Sequence, residues 1–212
     1  MVFIHGGGYL SGAGNYAMFQ PTEWMNKYPE FIFVNFNYRL NSLGFLALDT
    51  ANEDGIHGNF GLYDQKAALQ WVYENVENFG GDSDQITLMG QSAGGQSAFV
   101  HTVWEESSQY FNKLIVDSGP VVTIPTGAND TDYYRFGSRF LQEVECRETA
   151  RVWDCLRNVP EEVIRNATLG ALPPNVGDGK GILQFDFKLY CMNQLRWLST
   201  FLYGKCRPIS DN

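Results

Sequence analysis

Basic residues are scarce in this sequence, long apolar runs are missing, and the few cysteines do not cluster. Lys and Arg number 15 against 24 Asp and Glu, for a net charge of −9. Such a chain repels phosphate backbones, which excludes nucleic acid as a partner. No basic run marks a membrane surface, and no stretch of about 18 uncharged apolar residues is available to span a bilayer. The four cysteines, Cys146, Cys155, Cys191 and Cys206, contain no Cys-x-x-Cys pair, so a zinc or thioredoxin-like site is excluded. No metal and no cofactor is expected. Met1 to Ile4 is apolar but too short for the core of a signal peptide, and it runs at once into His5-Gly6-Gly7-Gly8. No targeting signal is expected within these residues. Histidine is rarer still, with three in 212 residues, so a general base has few candidates.

What the sequence does hold is the material of a folded α/β protein. Hydrophobic residues make up 44% and aromatics 15%, with 22 glycines, enough for one good-sized core. Val2-Phe3-Ile4 reads as the end of a buried strand, and an initial methionine inside a core strand leads us to expect more of the fold upstream. Residues 31–38 read as a second strand, 86–89 as a third and 114–116 as a fourth. Gly61 to Asn78 reads as a helix with Ala67, Ala68, Trp71, Val72 and Val76 on its inner face, ended by Gly80-Gly81-Asp82. Ala93 to Val103 reads as a helix, and Thr131 to Asn166 as helical with breaks near Cys146 and Pro160. Strands alternating with helices predict a mostly parallel sheet covered by helices. The character changes at Pro173-Pro174. Residues 1–172 form the main domain in this reading and 173–212 a divergent tail, with a linker at Gly177 to Gly181 and a helical apolar spacing from Phe187 to Leu202.

The chemistry sits in two places. Gly90-Gln91-Ser92-Ala93-Gly94 is a Gly-x-Ser-x-Gly sequence with a strand before it and a helix after it. A serine on that sharp turn projects Oγ from the sheet, and side chains two residues to either side would clash, hence Gly90 and Gly94. His5-Gly6-Gly7-Gly8-Tyr9 follows the first strand. Acyl transfer builds negative charge on a carbonyl oxygen, and backbone N–H groups aimed at that oxygen stabilise it, each by about 3 kcal/mol. Ala93 adds an N–H at a helix N-terminus. Ser92 is thus the candidate nucleophile.

On these residues the sequence resembles the type-B carboxylesterases and cholinesterases. The matching stretches are His5 to Tyr9, Asn37-Tyr38-Arg39, Gly44 to Leu48, Gly58 to Gln65, Ala68 to Val72 and Asn75 to Asp82, which leads into Gly90 to Gly95. The run from Gly58 to Gly95 is the most specific. The resemblance implies an α/β-hydrolase fold and hydrolysis of a small-molecule carboxylic ester through an acyl-serine. It matches Ser92 to the nucleophile and Gly7, Gly8 and Ala93 to the oxyanion hole. It also implies a buried structural ion pair between Arg39 and Asp64. It further implies a disulfide between Cys146 and Cys155, with two buried free thiols as the alternative. With that disulfide, the sequons at Asn129 and Asn166 predict glycosylation and an extracellular or secretory location. No oligomeric state is implied.

Two departures from the family pattern matter. The family usually has Glu before the nucleophile, and Gln91 stands there, which weakens a choline-ester reading and resembles the juvenile hormone esterases. In this fold the triad runs Ser, then Asp or Glu, then His, but only His101 follows Ser92. Nine residues along one helix is about 13 Å, beyond hydrogen-bond reach. A structural or solvated role is expected for His5, His57 and His101, with the acid and base lying outside this chain. Two rivals remain. One is a non-catalytic cholinesterase-like adhesion protein of the neuroligin kind, disfavoured by Ser92 and the intact glycine loop. The other is a hormone-sensitive type of lipase, disfavoured by residues 58–82.

Overall fold

The computed structural model describes residues 1–46, 59–119, 130–147, 149 and 151–170. His57, Asn129 and the whole of 171–212, including the linker and the apolar segment after it, lie outside the described residues. In chain order the elements are β1 (Val2–Ile4), α1 (Thr22–Lys27), β2 (Val34–Asn35), α2 (Asn41–Phe45), α3 (Phe60–Asn75), β3 (Thr87–Gln91), α4 (Ala93–Val103), α5 (Glu105–Ser108), β4 (Lys113–Asp117), α6 (Asp130–Glu143), α7 (Val152–Asn158) and α8 (Glu161–Gly170). The four strands form one parallel sheet in the order β2-β1-β3-β4. This parallel sheet with helices packed on it fits the α/β-hydrolase fold that the resemblance implies.

Parallel strands need apolar cover, and their alternation shows where it lies. Val2, Ile4 and Leu88 point to one face and are buried with Leu62, Leu69 and Val72 of α3 and Ala98 and Val100 of α4. Phe3, Met89 and Ile115 point to the other. There Phe3 packs on Phe19 and Phe33, whereas Ile115 is exposed among the described residues. A second cluster joins Leu46 to Phe140 and Leu141 of α6, to Val144 in the turn after it, and to Val152, Leu156 and Ala167.

Two readings need correction. The second strand pairs over Val34 and Asn35 only, rather than 31–38. Its partner β1 is three residues long. Beyond it the side chains of Asn35 and Asn37 bond the backbone of Gly14, replacing a ladder. The inner face of α3 is Leu62, Gln65, Leu69 and Val72, continued by Val76, while Trp71 is 53% exposed. The aliphatic side chains take the core, and Trp71 instead packs its ring on Phe79 at the surface. A 3-10 turn over Val76–Phe79 ends the helix at Gly80, which is left-handed at φ 80°.

Candidate active site

Ser92 lies between the end of β3 and the start of α4, with φ 54° and ψ −120°. A non-glycine residue there carries a strain of about 1–3 kcal/mol, which persists only when the surroundings hold it. They do: its N–H donates to Asp117 O on β4 at 2.8 Å, and its carbonyl accepts from Gln96 N–H at 3.0 Å. The flanking glycines are needed for space. A Cβ on Gly90 would sit 2.0 Å from Gly94 O, and one on Gly94 would sit 2.1 Å from Ile4 O. The helix N-terminus is therefore pressed against the end of β1.

The glycine loop leaves β1 and crosses this turn. A Cβ on Gly6 would lie 2.6 Å from Gln91 Oε1 and 3.0 Å from Ser92 Cβ, so the loop backbone touches the serine. Gly7, Gly8 and Tyr9 follow with φ of 120°, 62° and 62°. Leu10 and Ser11 N–H both donate to Gly7 O. Gly7 and Gly8 are exposed, and Ala93 is buried as the first residue of α4. The structure thus brings Ser92, Ala93 and the glycine loop into one place, at the carboxyl ends of β1 and β3.

The described histidines are occupied elsewhere. His101 is fully buried, with Nε2 3.0 Å from Gln65 Oε1 and Nδ1 2.7 Å from Ser107 Oγ. Burial, with Lys66 as a lesser cause, pushes its pKa down to about 3, so it is neutral. His5 is also buried, stacked on Tyr38 at 4.5 Å with Nδ1 2.8 Å from Gly6 O. Burial lowers its pKa against the opposing effect of that bond, and its Nε2 has no hydrogen-bond partner among the described residues, Ser92 included. Neither ring bonds the serine.

A cleft of about 450 Å³ is lined by Phe3, Phe19, Trp24, Phe33 and Met89 among others, together with Gln91 and Asp117. The Asp117 carboxylate accepts from Ser118 Oγ at 2.8 Å. Among the described residues no group of three His, Cys, Asp or Glu could hold a metal ion, and no helix is long and apolar enough to cross a membrane.

The structural residues read from the sequence are also located. Arg39 and Asp64 form a bidentate pair, Nε to Oδ2 and Nη2 to Oδ1 at 2.8 Å each, and Arg39 N–H adds a third bond to the same carboxylate. Burial alone would raise the Asp64 pKa, but the hydrogen bonds and charge of Arg39 together outweigh it and hold the carboxyl below its usual range. The pair is not buried, contrary to expectation: the side chains are 52% and 26% exposed. The guanidinium lies over the Phe60 ring and faces solvent, so water shares its solvation. Cys146 and Cys155 are joined by a disulfide with Cα atoms 5.7 Å apart, and Asn166 is exposed on α8. Sequence reasoning missed Gln65, Ser97 and Tyr9, which meet in the core behind the loop. A polar residue amid an aliphatic helical stripe was the available signal for Gln65.

A sequence model of the carboxylesterase family matches residues 1–185. The chain belongs to the carboxylesterase family. It is 35% identical over 167 residues to an acetylcholinesterase of Danio rerio, a stretch covering 77% of this chain and 26% of that protein. It is 43% identical over 124 residues to a juvenile hormone esterase of Tribolium castaneum, covering 58% of this chain and 20% of the relative. Among solved structures, the juvenile hormone esterase of Manduca sexta with OTFP covalently attached matches with a TM-score of 0.78 and 29% identity. That match covers 91% of this carboxylesterase-family chain and 38% of the other. The chain thus spans about a fifth to a quarter of the length of these curated relatives.

Proposed function

We propose that this chain carries the nucleophile and the oxyanion hole of a carboxylic ester hydrolase that works through an acyl-serine. Ser92 Oγ attacks the ester carbonyl carbon, its proton passes to a base, and the N–H groups of Gly7, Gly8 and Ala93 receive the developing oxyanion. The alcohol leaves with a proton, and water then releases the acid from the acyl-serine. The observation that carries this reading is the strained Ser92 turn with the Gly6 backbone against it. The solved relative with a covalently attached OTFP adds support.

The base is not one of this chain's described histidines, because both rings are buried and engaged away from Ser92. By itself the chain hydrolyses esters slowly. An oxyanion hole without a base retains about 10³–10⁴-fold over water, as in serine proteases stripped of their triad. A neutral amide at Gln91 beside an apolar cleft favours an uncharged ester with an apolar group over a choline ester. The Cys146–Cys155 disulfide and the exposed Asn166 support a secretory location. We place the domain at residues 1–172, with 173–212 as a divergent tail. The test is hydrolysis of a neutral activated aryl ester by the purified chain, beside Ser92→Ala. Slow rates fit this reading; rapid turnover abolished by Ser92→Ala would show that the chain holds its own base.

A further inference from the structure

A run of buried hydrogen bonds lies behind the glycine loop, and the chemistry above makes no use of it. Ser97 Oγ donates to Tyr9 Oη at 3.3 Å, and Gln65 Nε2 donates to Ser97 Oγ at 3.2 Å. Gln65 Oε1 then faces His101 Nε2 at 3.0 Å, and Ser107 Oγ faces His101 Nδ1 at 2.7 Å. All five side chains are buried. The amide of Gln65 orders the protons. Its Nε2 can only donate and its Oε1 can only accept, so His101 carries its proton on Nε2 and accepts from Ser107 on Nδ1. Every link is then satisfied, as buried polar groups require.

The far end of this run is the loop. Gly7, Gly8 and Tyr9 are three consecutive residues with positive φ, and Tyr9 is not a glycine. Its backbone is strained and stays so only where contacts over-determine it. Three contacts do this. Asn41 N–H donates to Tyr9 O at 2.7 Å, the Tyr9 ring packs on Phe45 at 4.8 Å, and Ser97 holds the hydroxyl. Ser97 stands five residues after Ser92, about 7.5 Å along the same helix. One rigid element, α4, therefore begins at the nucleophile and anchors the loop a turn and a half later.

We propose that Ser97, backed by Gln65, is a positioning residue that fixes the Gly7–Gly8 loop relative to Ser92 through the Tyr9 hydroxyl. The functional part rests on the reading of Ser92 and the loop as one site, whereas the anchoring itself does not.

The test uses hydrogen exchange on the full chain and on Tyr9→Phe, Ser97→Ala and Ser107→Ala. Leu10 and Ser11 N–H report on the loop, because both donate to Gly7 O. Tyr9→Phe removes one oxygen and keeps the ring on Phe45, so it carries the test even if Ser97→Ala does not fold. Exchange at Leu10 and Ser11 should rise about tenfold in Tyr9→Phe and Ser97→Ala, the order expected for one buried hydrogen bond. The sheet amides of Leu88 and Val116 should change far less, and Ser107→Ala, four hydrogen bonds from Tyr9, should disturb the loop least. A uniform rise at all amides, following a lower Tm, would mean that the run only stabilises the core and would overturn the proposal. Acylation by an activated aryl ester in the presence of imidazole gives the functional arm. The acylation rate should fall in Tyr9→Phe with KM unchanged. A wild-type chain that is never acylated at Ser92 would overturn the nucleophile reading, while the exchange data would still decide the anchoring.

Discussion

Replacing Gly94 by alanine adds one methyl group where the structure has only backbone. The new Cβ would lie 2.1 Å from Ile4 O and 2.7 Å from both His5 O and Ile4 C. No flexible side chain stands there to give way, so α4 must move from β1 by more than an ångström. That movement disturbs the helix that buries Ala98 and Val100 against the sheet. Overpacking in a rigid core costs about 1–3 kcal/mol, and backbone meeting backbone belongs at the upper end. For a chain of this size, 3 kcal/mol lowers Tm by about 6–12 °C. Gly80→Ala is the control. Its Cβ would meet nothing within 4 Å, and only the positive φ of 80° opposes it, at about 1 kcal/mol. Urea unfolding of the two variants beside the parent chain measures both. If Gly94→Ala costs no more than Gly80→Ala, the packing of α4 on β1 is wrong, and with it the geometry of Ser92.

Other substitutions probe separate parts of the structure. His101 has a pKa of about 3 when folded against an ordinary 6.5, so the unfolded chain binds more protons between those values. Stability then falls as pH drops below 6.5, by about 1.4 kcal/mol per unit, with none of this loss above it; His101→Gln should flatten that acid limb, and an unchanged limb would contradict a buried neutral imidazole. Asp64→Asn should cost only about 0.5–1 kcal/mol, because the pair faces solvent; a loss above 2 kcal/mol would restore the buried-pair reading. Reducing the Cys146–Cys155 disulfide should cost about 2–3 kcal/mol, and mass mapping without reductant that finds both cysteines alkylated would exclude the bond. A crystal structure should place the N–H groups of Gly7 and Gly8 within about 6 Å of Ser92 Oγ; 12 Å or more would separate the two halves of the site.

Much of the turn at Ser92 was legible because its constraints are local. Gly90 and Gly94 bracket Ser92 as a strand-to-helix turn demands, and α4 spans Ala93–Val103 as its pattern predicts. The rest depended on tertiary context. Trp71 and Ala67 look apolar, but the core of α3 is filled by Leu62, Leu69 and Val72. The strand read across 31–38 shrinks to Val34–Asn35 because its partner β1 is only three residues long and offers no longer ladder. The helices α1 and α2, six and five residues long, are too short to show a helical period. The burial of Gln65, Ser97 and His101 was beyond sequence reasoning, because the bonds from Gln65 to Ser97 and His101 and from Ser97 to Tyr9 span 32 to 88 residues. A polar side chain announces itself as surface until the fold brings its partner.

Ser92 should take an acyl group when a base is supplied. Incubating the purified chain with an activated aryl ester and imidazole, then mapping the modified peptide by mass spectrometry, tests it directly. Imidazole supplies a base in solution, because a neutral serine hydroxyl needs one to accept its proton. An acyl adduct should form on Ser92, faster as imidazole is raised, and should be absent in Ser92→Ala. Adducts scattered over lysines and tyrosines at equal rates in both proteins, with none on Ser92, would contradict it.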